Sequence, residues 1–199
     1  MSIITIERKI LEKNDEIAER NRTLFAEHGI LALNIVSSPG SGKTSLDAQR
    51  IAKYDVPVIQ IVTQGGCHLE AQLVRDAVAK LDVGGQDLLI IENVGNLVCP
   101  ANYDLGEAMK VVVISTTEGD DKPLKYPAMF RNAAALVINK IDLLPYLDCN
   151  LEVLKRNAFQ INPSLKLFET SCTTGKGISR WCGWLEEMIH AGRDEGTKG

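Results

Sequence analysis

The stretch LALNIVSSPGSGKTS (residues 31–45) joins an apolar, β-rich run to a glycine-rich turn ending in Lys-Thr. LALNIV reads as a buried strand, and SSPGSGKT (37–44) matches GxxxxGK[ST] except at its first position, where Ser37 replaces glycine. The spacing has a physical purpose. Gly40 and Gly42 let the backbone curl, so that successive N–H groups and the start of the next helix form a concave anion site. Lys43 brings a point charge to the β and γ phosphates, and Thr44 brings a hydroxyl suited to Mg²⁺. Gly40, Ser41, Gly42, Lys43, Thr44 and Ser45 are therefore the candidate phosphate contacts. The alternative is a plain strand-to-helix turn with an exposed lysine; the flanking strand and helix favour the phosphate reading.

Outward from this loop, further β-rich runs occur at 56–62 (VPVIQIV), 87–92 (DLLIIE), 110–115 (KVVVIS), 135–140 (ALVINK) and 166–170 (KLFET). Helical patterns separate several of them, at 69–81, 124–133, 151–159 and 178–191. Near-continuous Val/Ile/Leu strands alternating with helices predict an α/β fold, a mostly parallel sheet covered by helices on both faces. Pro57 suggests that the 56–62 run starts after it or lies at an edge. Upstream, 6–28 reads as a helix with Ile3, Ile10, Ile17 and Leu24 as a narrow apolar seam. Asn14 and Asn21 thin that seam and place the helix at the surface of the core, and Gly29 suits a left-handed helix stop. The expected organisation is an N-terminal helix over 1–29, one nucleotide-binding domain over 30–192 and a frayed tail over 193–199.

Composition narrows the function classes. With 199 residues, 45% apolar and 24% charged, the chain is long enough to bury one core without disulfides. A net charge of −4 and no basic run argue against nucleic acid or an anionic membrane as main partner. No apolar run reaches transmembrane length, and the N-terminus lacks a signal-peptide stretch. Five widely spaced cysteines without a CxxC pair suit a reducing cytoplasm.

Three further segments carry base and switch chemistry. Asn139-Lys140-Ile141-Asp142 ends the 135–140 strand and has the NKxD form. Asp142 can accept hydrogen bonds from the N1–H and exocyclic amine of guanine, a pair that adenine does not present. Lys140 can lay its stem over the base, and Asn139 can tie loops together. A strand-end turn is the competing reading, but order downstream of the phosphate loop favours base recognition. Ser171 and Cys172 begin a loop, 171–177, that resembles the GTPase loop whose backbone N–H contacts guanine O6; an ordinary turn remains open there. Glu92 ends the 87–92 run with Gly95 three residues on, which resembles the Asp-x-x-Gly of P-loop GTPases with an acid one methylene longer; the resemblance implies that the Gly amide senses the γ-phosphate and that the acid organises Mg²⁺ through a water. A charged residue capping a buried strand is the alternative.

Cys67 and His68 lie where a strand passes into a helix, and Cys99 lies just past the switch strand. Cys and His suit Ni²⁺ or Zn²⁺, but no spacing here matches a standard zinc motif, and a free Cys is often a buried small hydrophobe. Cys149, Cys172 and Cys182 read as structural.

Taken together, SSPGSGKT, GCHL, ENVGNLVCPA, DLGE, TEGDDKPLKYP and NKIDLLPYL closely resemble the hydrogenase nickel-incorporation GTPases of the HypB family. The resemblance implies a SIMIBI-type P-loop G domain that binds and hydrolyses GTP to GDP, with Lys43, Thr44, Glu92 and Gly95 as the catalytic set. It implies a nucleotide-gated homodimer holding nickel or zinc on Cys67, His68 and Cys99. It also implies transfer of nickel toward the large subunit of [NiFe] hydrogenase with a HypA-type nickel chaperone. Two features depart from the pattern. There is no N-terminal Cys-rich motif or His-rich stretch. The remainder of the first helix, the second strand and the acidic switch loop are missing between Leu46 and Asp47. Either the molecule carries a segment outside this sequence, or it truly lacks one; exposure of apolar sheet surface favours the first. A bonded pair lies ~3.8 Å apart, so that Cα separation decides. A real deletion would impair Mg²⁺ binding and hydrolysis. A non-catalytic metal-binding adaptor and a urease-accessory-type nickel GTPase are the alternative functions; the Cys-His and LVCPA strings weigh against the second.

Overall fold

A computed structural model of the chain describes residues 3–46, 58–61, 63 and 66–196, with backbone alone at 3–8 and 193–196. Five strands form one parallel sheet: β1 (Leu31–Ser37), β2 (Leu88–Gly95), β3 (Met109–Ser115), β4 (Ala135–Asn139) and β5 (Lys166–Glu169). Their order is β2-β1-β3-β4-β5. The helices are α1 (Ile3–Glu27), α2 (Ala71–Val78), α3 (Lys122–Lys125), α4 (Pro127–Arg131), α5 (Leu151–Ile161) and α6 (Ile178–Gly196). Residues 43–46 begin a further helix directly after the glycine-rich loop.

The valine-rich strands explain the two-sided core. Along β3, Val111, Val112, Val113 and Ile114 are all fully buried. Alternation sends Val112 and Ile114 toward Phe130, Leu154 and Ala158 on one face. It sends Val111 and Val113 toward Phe168, Trp181, Trp184 and Leu185 on the other. The last helix therefore covers the sheet through its tryptophans, as its core-like pattern predicted, with Cys182 half-buried beside them. No helix among the described residues is long and apolar enough to cross a membrane.

Four expectations change. The buried stripe of α1 is Asn14, Ala18, Asn21 and Phe25, whereas Ile10 is 48% exposed. The reason is polar: Asn14 donates to the Asp104 carbonyl and accepts from the Ala71 amide, and Asn21 donates to the Ala71 and Leu105 carbonyls. Burial of these carboxamides costs little once they are hydrogen-bonded. Second, the 124–133 helix splits into α3 and α4 at Tyr126, because Pro127 offers no N–H to carry the ladder through. Third, residues 58–61 form no strand, and Val58 is exposed. The rest of that run, 56, 57 and 62, lies outside the described residues. Fourth, α6 continues to Gly196, past the predicted end at 191. The Leu46–Asp47 separation lies outside the described residues, as do 197–199. Gly29 behaves as its position suggested. Its φ is +64°, and Ile30 donates to Phe25 while Gly29 donates to Ala26, the paired bonds of a glycine-stopped helix.

Candidate nucleotide and metal sites

The carboxyl ends of β1, β2 and β4 converge on one rim of the sheet, the usual ligand side of a parallel α/β sheet. Ser37 through Ser45, Gly95 and Lys140 line a cavity of about 390 Å³ there. Gly42, with φ +89°, is fixed by contact as well as by conformation: a Cβ would strike the Asn139 side-chain nitrogen. That nitrogen donates to the Ser41 carbonyl at 3.0 Å, so Asn139 ties the base loop to the phosphate loop. Lys140 adopts a left-handed conformation, φ +62°, and its Nζ donates to the Gly40 carbonyl at 2.7 Å. Asp142 sits in the short 3₁₀ helix that follows, Ile141–Tyr146. Ser171 is buried, its amide donates to Lys176, and Cys172 Sγ lies 3.5 Å from Asn139 Oδ1. The three loops expected to surround a nucleotide thus meet through Asn139.

On the phosphate side, Glu92 Oε1 accepts from Lys43 Nζ at 2.6 Å and from Thr44 Oγ1 at 2.7 Å. Gly95 packs against the loop, where an added Cβ would lie 3.3 Å from Pro39 Cα. The hydroxyl of Thr44 and the carboxylate of Glu92 form a hard oxygen pair that fits a Mg²⁺ ion.

Cys67, His68 and Cys99 also come together, their donor atoms all within 4.8 Å of one another. The two sulfurs lie 2.7 Å apart, and Cys67 Sγ is 3.5 Å from His68 Nδ1. The adjacent Cys99 thiol, and then lost hydration, hold the Cys67 thiol above its ordinary pKa. The neighbours Cys67 and His68 thus turn toward one point despite adjacency in sequence. The His68 ring stacks on Tyr103 with centroids 3.8 Å apart, and its Nε2 lies 3.9 Å from Glu70.

Several residues around these loops escaped the sequence reading. Asn93 is 2% exposed, takes the Leu69 amide and donates to Asn34. Lys110 donates to the Pro100 and Tyr103 carbonyls. For the asparagines a signal was present: Asn34 is the one polar residue in LALNIV, and Asn93 follows Glu92 in the otherwise apolar LLIIENVG.

A parallel sheet whose first strand opens into a glycine-rich phosphate loop defines a P-loop nucleotide-binding protein, and residues 40–169 match the family described as CobW/HypB/UreG, nucleotide-binding domain. Within it, the chain belongs to the HypB hydrogenase maturation factors. It is 45% identical to hydrogenase maturation factor HypB of Escherichia coli K12, across 92% of this chain and 72% of that protein. Among solved structures, HypB from Archaeoglobus fulgidus superposes with a TM-score of 0.82 at 40% identity, covering 89% of this chain and 99% of that one. HypB from Helicobacter pylori in complex with nickel superposes with a TM-score of 0.84 at 36% identity, covering 90% and 96%. The match with the E. coli protein extends over 209 residues, more than 92% of a 199-residue chain can supply. That relative therefore has residues inside the matched span without a counterpart here.

Proposed function

We propose that this protein is a cytoplasmic GTP-binding and GTP-hydrolysing metallochaperone that carries nickel to [NiFe] hydrogenase. The observation that carries the reading is the convergence of Cys67, His68 and Cys99 within 4.8 Å, beside the strand that ends in Glu92 and Gly95. Thiolate and imidazole donors suit nickel, with zinc as the competing cargo. The solved relative carrying nickel supports the same choice.

On this reading Lys43 neutralises the β and γ phosphates, and the Gly40–Gly42 backbone cradles them. Thr44 and Glu92 would hold Mg²⁺, which would supply charge neutralisation at the transferring phosphoryl group. The Gly95 amide reads the γ-phosphate, Asp142 reads the guanine edge and the Lys140 stem covers the base. The loop from Ser171 and Cys172 contacts guanine O6. No general base stands out among these groups, so turnover is slow and serves a switch. Nucleotide state sets homodimerisation, the dimer completes the metal ligands, and a HypA-type chaperone and the hydrogenase large subunit are the partners.

Mg²⁺-dependent phosphate release from GTP, lost in Lys43→Ala, together with a Ni²⁺ site lost in Cys67→Ala and Cys99→Ala, is the expected result. Ni²⁺ binding without phosphate release would leave a non-catalytic metal-binding adaptor instead. Equal Ni²⁺ affinity and equal oligomeric state in GDP and in a GTP analogue would count against the switch.

A further inference from the structure

Glu92 and Asn93 are neighbours on β2 with opposite surroundings. Glu92 meets Lys43 and Thr44 of the phosphate loop. Asn93 is buried, and its Oδ1 accepts the amide of Leu69, the residue after His68, at 3.3 Å. Its Nδ2 donates to Asn34 Oδ1 at 3.2 Å. Asn34, on β1 below the phosphate loop, donates in turn to Glu107 Oε1 at 3.0 Å. Glu107 lies 3.5 Å from Lys110 Nζ and takes the Leu105 amide. Lys110 completes the chain by holding the carbonyls of Pro100, next to Cys99, and of Tyr103, whose ring stacks on His68.

We propose that Asn93 is a positioning residue that couples the phosphate site to the Cys67–His68–Cys99 triad through the buried chain Asn34–Glu107–Lys110. The inference rests on the reading of that triad as the nickel site. Both metal-bearing loops hang from one polar cluster inside an apolar core. Each member of such a cluster is costly to leave unpaired, so its members move together rather than singly. A phosphate or cation that draws on Glu92 or Gly95 shifts the end of β2. Asn93 then carries that shift to Leu69, and the Asn34–Glu107–Lys110 chain carries it to the Cys99 loop. Outer partners of this kind set ligand orientation without touching the ion.

The test uses the full chain, with Ni²⁺ titrated in GDP and in a non-hydrolysable GTP analogue and followed by thiolate-to-nickel charge-transfer absorption. In the wild type the two nucleotide states give different Ni²⁺ affinities. Asn93→Ala weakens Ni²⁺ binding by roughly 10–100-fold, shifts the band and makes the two affinities equal. Asn34→Ala cuts the route to the Cys99 loop while keeping the Leu69–Asn93 bond, so it narrows the difference between states, and it decides the matter should Asn93→Ala fail to fold. GDP affinity is unchanged in both. Asn93→Ala or Asn34→Ala with the wild-type difference and spectrum overturns the inference, as does a wild type with no difference between states. A GDP affinity lost along with the Ni²⁺ effect also overturns it, because the residue would then act on the nucleotide itself. A Ni²⁺ band that persists in Cys67→Ala overturns the metal-site reading and the inference built on it.

Discussion

Lys43 Nζ lies 2.6 Å from Glu92 Oε1, so the cation of the phosphate loop and the acid of the switch strand neutralise each other. The lysine is well sheltered and the glutamate partly so. An arriving phosphate must compete with Glu92 for this lysine. Glu92→Gln should therefore tighten GDP binding in the absence of Mg²⁺, by up to about fivefold, the scale of a partly exposed ion pair. The same substitution should shrink the extra affinity that Mg²⁺ confers, because a hard carboxylate is lost from its site. Titration of a fluorescent GDP analogue with EDTA and with Mg²⁺ measures both effects. Weaker binding in EDTA would show that Glu92 supports the loop rather than competing with the ligand.

Gly42 and Gly40 separate contact from conformation. Both have positive φ, +89° and +74°, but a Cβ on Gly40 meets open space while one on Gly42 collides with Asn139. Gly42→Ala should lose about 1–3 kcal/mol of stability and its nucleotide affinity, since the collision breaks the Asn139–Ser41 tie. Gly40→Ala should lose less, being strained in φ alone. Urea denaturation of the two variants decides this. Equal losses would mean that the Asn139 contact contributes nothing.

The sheet and the phosphate loop were legible because they rest on local patterns. Continuous Val/Ile runs and glycine spacing need no distant partner to be read, and all five strands fall where such runs predicted them. The α1 face was not legible. Ile10 looked like core and Asn21 looked like a defect, yet Ile10 is half-exposed and Asn21 is fully buried. Asn21 finds the Ala71 and Leu105 carbonyls 50 and 84 residues away, and no local pattern encodes them. The Cys67–His68–Cys99 cluster was half legible. Residue type suggested it, but the approach of Cys99 to Cys67 depends on how β2 and its following loop bring residue 99 back, a tertiary fact.

Asp142 offers a test of base choice. It follows Lys140, whose left-handed backbone turns the chain at the end of β4. Exchange of its two acceptor oxygens for one acceptor and one donor unpairs the guanine amine and suits a carbonyl at the same ring position. Asp142→Asn should weaken GTP roughly 10–100-fold, the scale of a lost hydrogen bond to a charged group, and should improve xanthosine triphosphate. Competition between the two nucleotides for one fluorescent reporter measures the exchange. An unaltered GTP affinity would remove Asp142 from base reading.

The docking of α1 should depend on pH through Asp104. Its carboxylate takes Arg22 Nη2 at 3.0 and 2.8 Å and the Gly106 amide at 2.8 Å. Partial burial pushes its pKa up, but the Gly106 amide and then the Arg22 guanidinium outweigh this and hold it below the usual carboxylate value. A depressed folded pKa contributes stability that is present above the unfolded value of about 3.9 and is lost as pH falls through the folded value. The loop in question is the one on which Asn14 and Asn21 seat the helix, so the loss should loosen α1. Asp104→Asn should therefore melt below the wild type at neutral pH, and the gap should close as pH drops past about 4. Thermal melts of both proteins between neutral and acidic pH at low salt follow the gap. A gap that persists unchanged at the acidic end would mean that the side chain stabilises α1 by shape and hydrogen bonding, with its charge playing no part.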